Sequence, residues 1–343
     1  MKKIRYYDAL RIISFCFIIF YHMMIQLQIS EIYPAEKVSP FFSNSNMHLA
    51  TLAVAVFFML SGACLAYTTK DGFRIKEYFK KRYVKTLIPF YMVALAYYIY
   101  KAIITKSFLG MYTVHVPAWR IIYTILGLDG WIDMHKVPTF TLGVGEWFLG
   151  ALLLLYLLFP LFRYFMKKNS ILFLCVATCI YIIVAYNYTS YVPMHMNLIL
   201  KGYEFILGMY LGTYLTSVNK KWMLLSVPVT VFFFTSSTAL NWNGALKITV
   251  FALAFFVSFS YLEDLLSKGK LKWLDFLSGL SYELFLVHHI VIYEITPRVE
   301  EYIINKYHVL LLFIVQVLLM AILALILKYS SNALIKLIMK KRK

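Results

Sequence analysis

Charge is the first thing this 343-residue chain is short of. Only 15% of its residues are Asp, Glu, Lys or Arg, against about 25% in ordinary soluble domains. Acid is scarcer than base, 16 residues against 34, for a net charge of +18. Cysteine is scarce too. Cys16, Cys64, Cys175 and Cys179 all fall in apolar stretches, with neither metal-knuckle spacing nor a disulfide framework, so they read as small buried hydrophobes. There is no HExxH, no tight carboxylate cluster, no Walker loop and no Rossmann glycine fingerprint. A catalytic metal, ATP chemistry and dinucleotide chemistry are left without support, and no metal ligand is assigned.

What is present instead is hydrocarbon: 62% of residues are hydrophobic and the mean hydropathy is +0.72. Apolar stretches recur at roughly 9–28, 50–68, 84–104, 141–162, 171–191, 198–217, 222–238, 245–262, 279–296 and 309–327. Most are near the length that crosses about 30 Å of bilayer hydrocarbon as a helix. The stretches 222–238 and 245–262 are the shortest, parted by a thin polar loop at Asn241–Asn243. Trp119–Leu128 is apolar but too short to span, so it lies at the surface or re-enters the protein. The opening MKKIRYYDALRIISFCFIIFYHMM resembles a signal peptide, yet lacks a small-residue cleavage site and is followed by many spans. It reads as an uncleaved first span. The expected fold is all-α: a polytopic membrane bundle of about ten transmembrane helices, forming one integral-membrane domain over 1–343 with no appended soluble domain.

The basic residues fall on alternate sides of these stretches. One side carries Lys2, Lys3 and Arg5, then clusters at 76–85, 163–168, 220–221 and 268–272, and finally the tail from Lys336. The other holds only scattered cations such as Lys37, Lys106, Lys201 and Lys247. The positive-inside rule then puts both termini in the cytoplasm. The same pattern removes nucleic acid as a partner, because membrane topology and anionic lipid account for the charge. The segment TKDGFRIKEYFKKRY at 69–83 allows two readings: topological bias, or a site for a phosphate-rich cytoplasmic ligand.

Ionisable groups inside apolar stretches carry the most information. Arg11 and His22 are eleven residues apart on the first stretch. Eleven helical steps leave them about 20° apart in azimuth and about 16 Å apart along the axis. One face therefore offers a cation near the cytoplasmic end and an imidazole near mid-membrane. Arg11 can snorkel to lipid phosphates or serve a site; His22 can be a packed core residue or a general base. Glu146 opens the fourth stretch, where a solvated position is expected. Glu204 sits inside the sixth, where a carboxylate is costly unless paired, among Gly202, Gly208 and Gly212, which suit close helix packing. His288 and His289 are adjacent, so at most one points readily into a shared site.

The ordered set of motifs resembles the membrane acyltransferase-3 family, bacterial multispanning enzymes that acylate sugars. Asp8–Ala9–Leu10–Arg11, ten residues and His22 match its opening. FFMLSG at Phe57–Gly62 is similar to its FFxLSG element. KKRYVKTLIP supplies Arg82, Lys85 and Pro89, and WFLGALLLLYLLFP supplies Trp147 and Pro160. SYELFLVHH matches the SYxxFLxH element through Ser281, Tyr282, Phe285 and His288. The elements occur in order and cover most of the chain.

The resemblance implies transfer of an acyl group, usually acetyl, from cytoplasmic acyl-coenzyme A to a saccharide hydroxyl. The acceptor would be a lipid-linked or surface polysaccharide unit, and the location a bacterial inner membrane. It implies His22 and Arg11 as the catalytic pair, and Arg82, Lys85 and Lys81 as contacts to the coenzyme A phosphates. Ser61, Tyr282 and His288 are inner-site candidates. Acyl-CoA would be a donor substrate, with no cofactor held permanently. Two departures stand out. The chain lacks the extracellular hydrolase-like domain of some members, so it acts alone or with a separate partner such as polysaccharide-assembly proteins. The usual glycine-valine-aspartate lead into FFxLSG is replaced by Leu52–Ala53–Val54–Ala55–Val56. A secondary transporter or flippase for a polar or lipid-linked solute is the alternative, since intramembrane Arg, His and Glu suit solute passage too; no internal repeat pairs the two halves.

Overall fold

The computed structural model describes residues 3–32, 49–107, 115–215, 220–236, 240–269 and 271–340. Lys2, Lys37, Lys270, Lys341, Arg342 and Lys343, counted above among loop and tail charges, lie outside these residues. Among the described residues the chain is helical and has no strand. Its helices are α1 (Arg5–Ile29), α2 (Leu49–Thr68), α3 (Ile75–Thr105), α4 (Ile121–Leu126), α5 (Asp129–Asp133), α6 (Glu146–Lys168) and α7 (Ser170–Asn187). They continue with α8 (Leu198–Tyr214), α9 (Lys220–Thr235), α10 (Gly244–Ser260), α11 (Glu263–Ser267), α12 (Lys272–Ser278), α13 (Ser281–Ile295) and α14 (Lys306–Lys340).

Among the described residues each of the ten apolar stretches overlaps a helix, and six helices are long and apolar enough to cross a membrane: α1, α2, α3, α6, α7 and α14. A seventh arises if α12 and Ser281–Arg298 form one span interrupted between them. The protein is thus a multi-pass membrane protein. Its surface agrees: Ile171, Ile183, Leu224, Leu318 and Ile326 are all exposed, which suits hydrocarbon rather than water. Three cysteines belong to this surface. Cys16, Cys175 and Cys179 are exposed and Cys64 is half-buried, correcting the expectation of four buried hydrophobes. In lipid an outward thiol costs little, so burial does not follow from its apolar character.

Tertiary contacts shift several boundaries. Helix α1 starts at Arg5 because the Glu263 carboxylate accepts from the backbone N–H groups of Arg5 (2.7 Å) and Tyr6 (3.0 Å), satisfying donors a helix start leaves open. The expected basic loop at 69–83 is largely the beginning of α3. Buried Tyr78 donates to the Tyr156 carbonyl (2.8 Å) and Tyr83 to that of Leu153 (3.1 Å). These bonds hold α3 helical before its hydrophobic run begins. The tail expected after 328 is helical to Lys340. Trp119–Leu128 forms a single turn and the short α4, largely exposed.

The chain divides into two compact units. The first draws on Met1–Gln28, Pro34–Phe73 and Leu158–Ser281. Its most extensive helix contact is between α2 and α8, and small residues permit it. A Cβ on Gly208 would lie 1.9 Å from the Met59 carbonyl oxygen, one on Gly212 2.2 Å from that of Ala63, and one on Gly62 2.0 Å from that of Phe205. Gly208→Val should therefore force two backbones apart, with a loss of stability of about 3 kcal/mol or more. Gly72→Ala, where nothing lies within 4 Å, should be near neutral. Melting temperatures of the two variants in detergent check this. Beside α2, α10 packs against α9, with Phe233 and Phe251 stacked at 4.7 Å. Within α8, Lys201 and Glu204 are both 2% exposed. The Lys201 ammonium lies 2.8 Å from each Glu204 oxygen. Lys201 is therefore not a loop charge; it is the partner that makes Glu204 tolerable.

The second unit draws on Ile29–Tyr33, Arg74–Leu157 and Tyr282–Lys343. Helix α14 packs along α3. Gln316 donates to the Thr296 hydroxyl (2.8 Å). The Glu294 carboxylate accepts from Tyr97 (2.6 Å), Tyr100 (3.0 Å), Lys101 (2.9 Å) and Arg298 (2.7 Å), tying the end of α13 to α3.

Candidate active site

Of the residues singled out from sequence, Arg11, His22 and Ser61 belong to the first unit, and Lys81, Arg82, Lys85, Tyr282 and His288 to the second.

Arg11 has its partners within the protein. One guanidinium nitrogen donates to Asp8 (3.2 Å) and to the Ser278 hydroxyl (2.8 Å), and the other reaches the Cys64 sulfur at 3.6 Å. Ser278 in turn donates to Asp8 (2.5 Å), and Lys3 pairs with the second Asp8 oxygen at 2.8 Å. Asp8 is one helical turn before Arg11, so the sequence DALR carries the cation and its anchor together. Ser278, at the end of α12, is supplied only by the fold. The result is a permanent cation in one fixed orientation on α1. His22, on the same face by helical geometry, is half-buried and meets the Tyr21 ring at 5.6 Å. The Ser61 hydroxyl donates back to the Phe57 carbonyl (2.8 Å) within α2.

In the second unit, Lys81 and Lys85 are exposed and Arg82 is half-buried, with its guanidinium 5.8 Å from the centre of the Tyr156 ring. Among the described residues no carboxylate pairs with these three cations. A surface with that property attracts a phosphate-bearing anion. Tyr282 donates to the Thr86 carbonyl (2.7 Å), which fixes α13 beside the turn that carries Lys85. His288 is 1% exposed, with Nδ1 2.6 Å from the Phe285 carbonyl.

Glu146 was expected in a solvated position. It is instead partly buried and in contact with His289 on α13. No local signal marks this pair, because it depends on α6 meeting α13. The segment leading to Glu146 is packed on itself: Thr139 donates to the Asp129 carbonyl (3.3 Å) and Arg120 to that of Pro138 (2.7 Å). Asp129 is 4% exposed. Burial pushes its carboxyl up to about 6, with the neighbouring Asp133 adding and the Thr124 hydroxyl opposing. The folded protein thus keeps a proton that the unfolded chain releases near its ordinary value of 3.8. Stability should fall as pH rises between these two values and level off above them, by about 3 kcal/mol in all. Asp129→Asn should flatten this slope in melting curves across the window.

The family model described as an acyltransferase domain matches residues 4–331. The chain belongs to the acyltransferase-3 family. No curated protein and no solved structure matches it. The match runs from before Arg11 to beyond His289, so it takes in most of both units. In an acyltransferase the features above take on chemical meaning. The first unit offers a fixed cation and an imidazole on one helix face, and the second a basic surface without a carboxylate partner among the described residues.

Proposed function

We propose that this acyltransferase moves an acetyl group from acetyl-coenzyme A to a hydroxyl of a cell-surface or lipid-linked saccharide. The observation that carries this reading is Arg11, held in one orientation by Asp8 and Ser278 on the helix face that also bears His22. In the bacterial inner membrane, with ten spans and both termini in the cytoplasm, Arg11 stands near the cytoplasmic end and His22 about 16 Å deeper. Lys81, Arg82 and Lys85 take the phosphates of coenzyme A, which is a substrate here and not a resident cofactor.

A sugar hydroxyl is far too weak an acid to ionise at neutral pH, so its attack on the thioester needs a base, and His22 fills that role. The hydroxyl oxygen bonds to the carbonyl carbon, the C–S bond breaks, and coenzyme A leaves. The oxyanion formed on the way needs donors. Ser61 and Tyr282 both give their protons to backbone carbonyls and must turn from them to serve. Polysaccharide-assembly proteins are the natural partners, since they supply the acceptor.

The decisive test compares surface glycans from producing cells with and without the gene by mass. The expected result is loss, in the deletion strain, of one acetyl group per modified sugar. Identical glycan masses in the two strains overturn the saccharide acceptor.

A further inference from the structure

The contacts at the start of α1 reach beyond Arg11. Lys3 and Arg5 both pair with Asp275 on α12, and Glu263 on α11 accepts from the backbone N–H groups of Arg5 and Tyr6. One turn after Asp275, Ser278 meets Asp8 and Arg11. Two helices, each far too short to cross a bilayer, thus grip the end of a spanning one. Arg5 opens that span, so α11 and α12 lie at the level where α1 enters the membrane. The chain between them agrees: Asp264, Ser267, Lys268 and Lys272 are all exposed, and such groups stay out of hydrocarbon.

The other side of these two helices is apolar. On α12, Leu274 and Ser278 are buried, whereas Trp273 and Leu277 are 57% and 38% exposed. Each stands about 160° round the helix from Asp275, facing away from α1. Phe276 is exposed beside them, and so is Leu265 on α11. Water disfavours such a face, but a membrane interface suits it: the ring and aliphatic side chains enter the boundary of the acyl chains, and Lys268 and Lys272 meet the phosphates. We propose that the outward faces of α11 and α12 dock on the phospholipid leaflet at the start of α1, and that this contact holds the two helices closed on α1 and so steadies Arg11. In the topology above this is the cytoplasmic leaflet. Glu263, Asp275 and Ser278 stand on the same two helices as the docking side chains, so the depth of those helices in the leaflet sets where the three groups meet α1. The docking needs no assumption about the reaction; its effect on turnover rests on the acetyl-CoA reading above.

The test uses the full-length protein, one copy to a nanodisc of phosphatidylcholine and phosphatidylglycerol. The phosphatidylcholine carries bromine, which quenches tryptophan on contact, at either a shallow or a deep position of its acyl chains. The chain has six tryptophans, so the Trp273 signal is the difference between wild type and Trp273→Phe. Shallow bromine should quench it more than deep bromine. A Trp273 signal that neither lipid quenches puts this face in water or against protein and overturns the docking, and stronger quenching by deep bromine overturns its place at the interface. Trp273→Asp with Leu277→Asp should fold, since both side chains lie outside the core. With acetyl-CoA as donor and a glycan extract of the producing cells as acceptor, it should release coenzyme A about 2–30-fold more slowly than wild type. If the double variant fails to fold, Trp273→Asp alone takes its place. Wild-type turnover in the folded variant overturns the link to Arg11. Wild-type protein that is quenched as expected but releases no coenzyme A overturns the acetyl-CoA reading alone.

Discussion

The His22→Ala protein should fold, bind donor and fail to transfer the acyl group. A positioned general base contributes about 10²–10⁴-fold to a proton-transfer step, equivalent to about 3–5 kcal/mol of barrier. The loss should appear in kcat, because in the proposed mechanism the imidazole acts on the hydroxyl during attack and not on the coenzyme A phosphates. Folding should survive the change, because His22 is only half-buried and truncating it opens no large cavity. Arg11 is a poorer first target. Removing its guanidinium takes two hydrogen bonds from Asp8 and Ser278, so a loss of activity would be mixed with a loss of structure. The measurement is coenzyme A release by nanodisc-reconstituted protein, beside a melting curve of the same sample. Turnover within a few-fold of wild type in folded His22→Ala protein would remove His22 from the role of base.

Lys201→Met should be among the most destabilising single changes in the first unit. The ammonium satisfies both oxygens of a carboxylate that is 2% exposed. Without it, Glu204 keeps only the Thr249 hydroxyl at 3.3 Å, itself supported by Tyr181 at 2.9 Å. Removing one partner of a buried ion pair costs about 3–5 kcal/mol, whereas replacing both with apolar residues of similar volume is often near neutral. The double variant Lys201→Met with Glu204→Leu should therefore melt closer to wild type than Lys201→Met alone. A double variant as unstable as the single one would show that the cost lies in packing around α8 and not in the uncompensated charge.

These outcomes separate two kinds of information. Periodicity and hydropathy marked every major helix, because a segment in lipid must satisfy its own backbone hydrogen bonds whatever surrounds it. They misjudged where α3 begins and where α14 ends, since those turns are held by Tyr78, Tyr83 and interhelical packing and not by hydrophobic length. Arg11 and His22 could be paired from spacing alone, because both lie on one helix and helical geometry relates them. Asp8 came with them for the same reason.

Ser278, 267 residues from Arg11, and His289, opposite Glu146 on another helix, had no such link. Lys201 was read as a loop cation because charge suggested water, until its burial beside Glu204 showed otherwise. The sequence by itself determined a helical membrane enzyme and set Arg11 and His22 on one face of one helix, since these depend on composition, on ordered motifs and on the repeat of a single helix. Only the tertiary structure decided what each charge faces. The energy of a buried ion depends on its partners and its dielectric surroundings, and helices distant in sequence complete both: α12 adds Ser278 to Arg11, α10 adds Thr249 to the Lys201–Glu204 pair, and α13 brings His289 to Glu146.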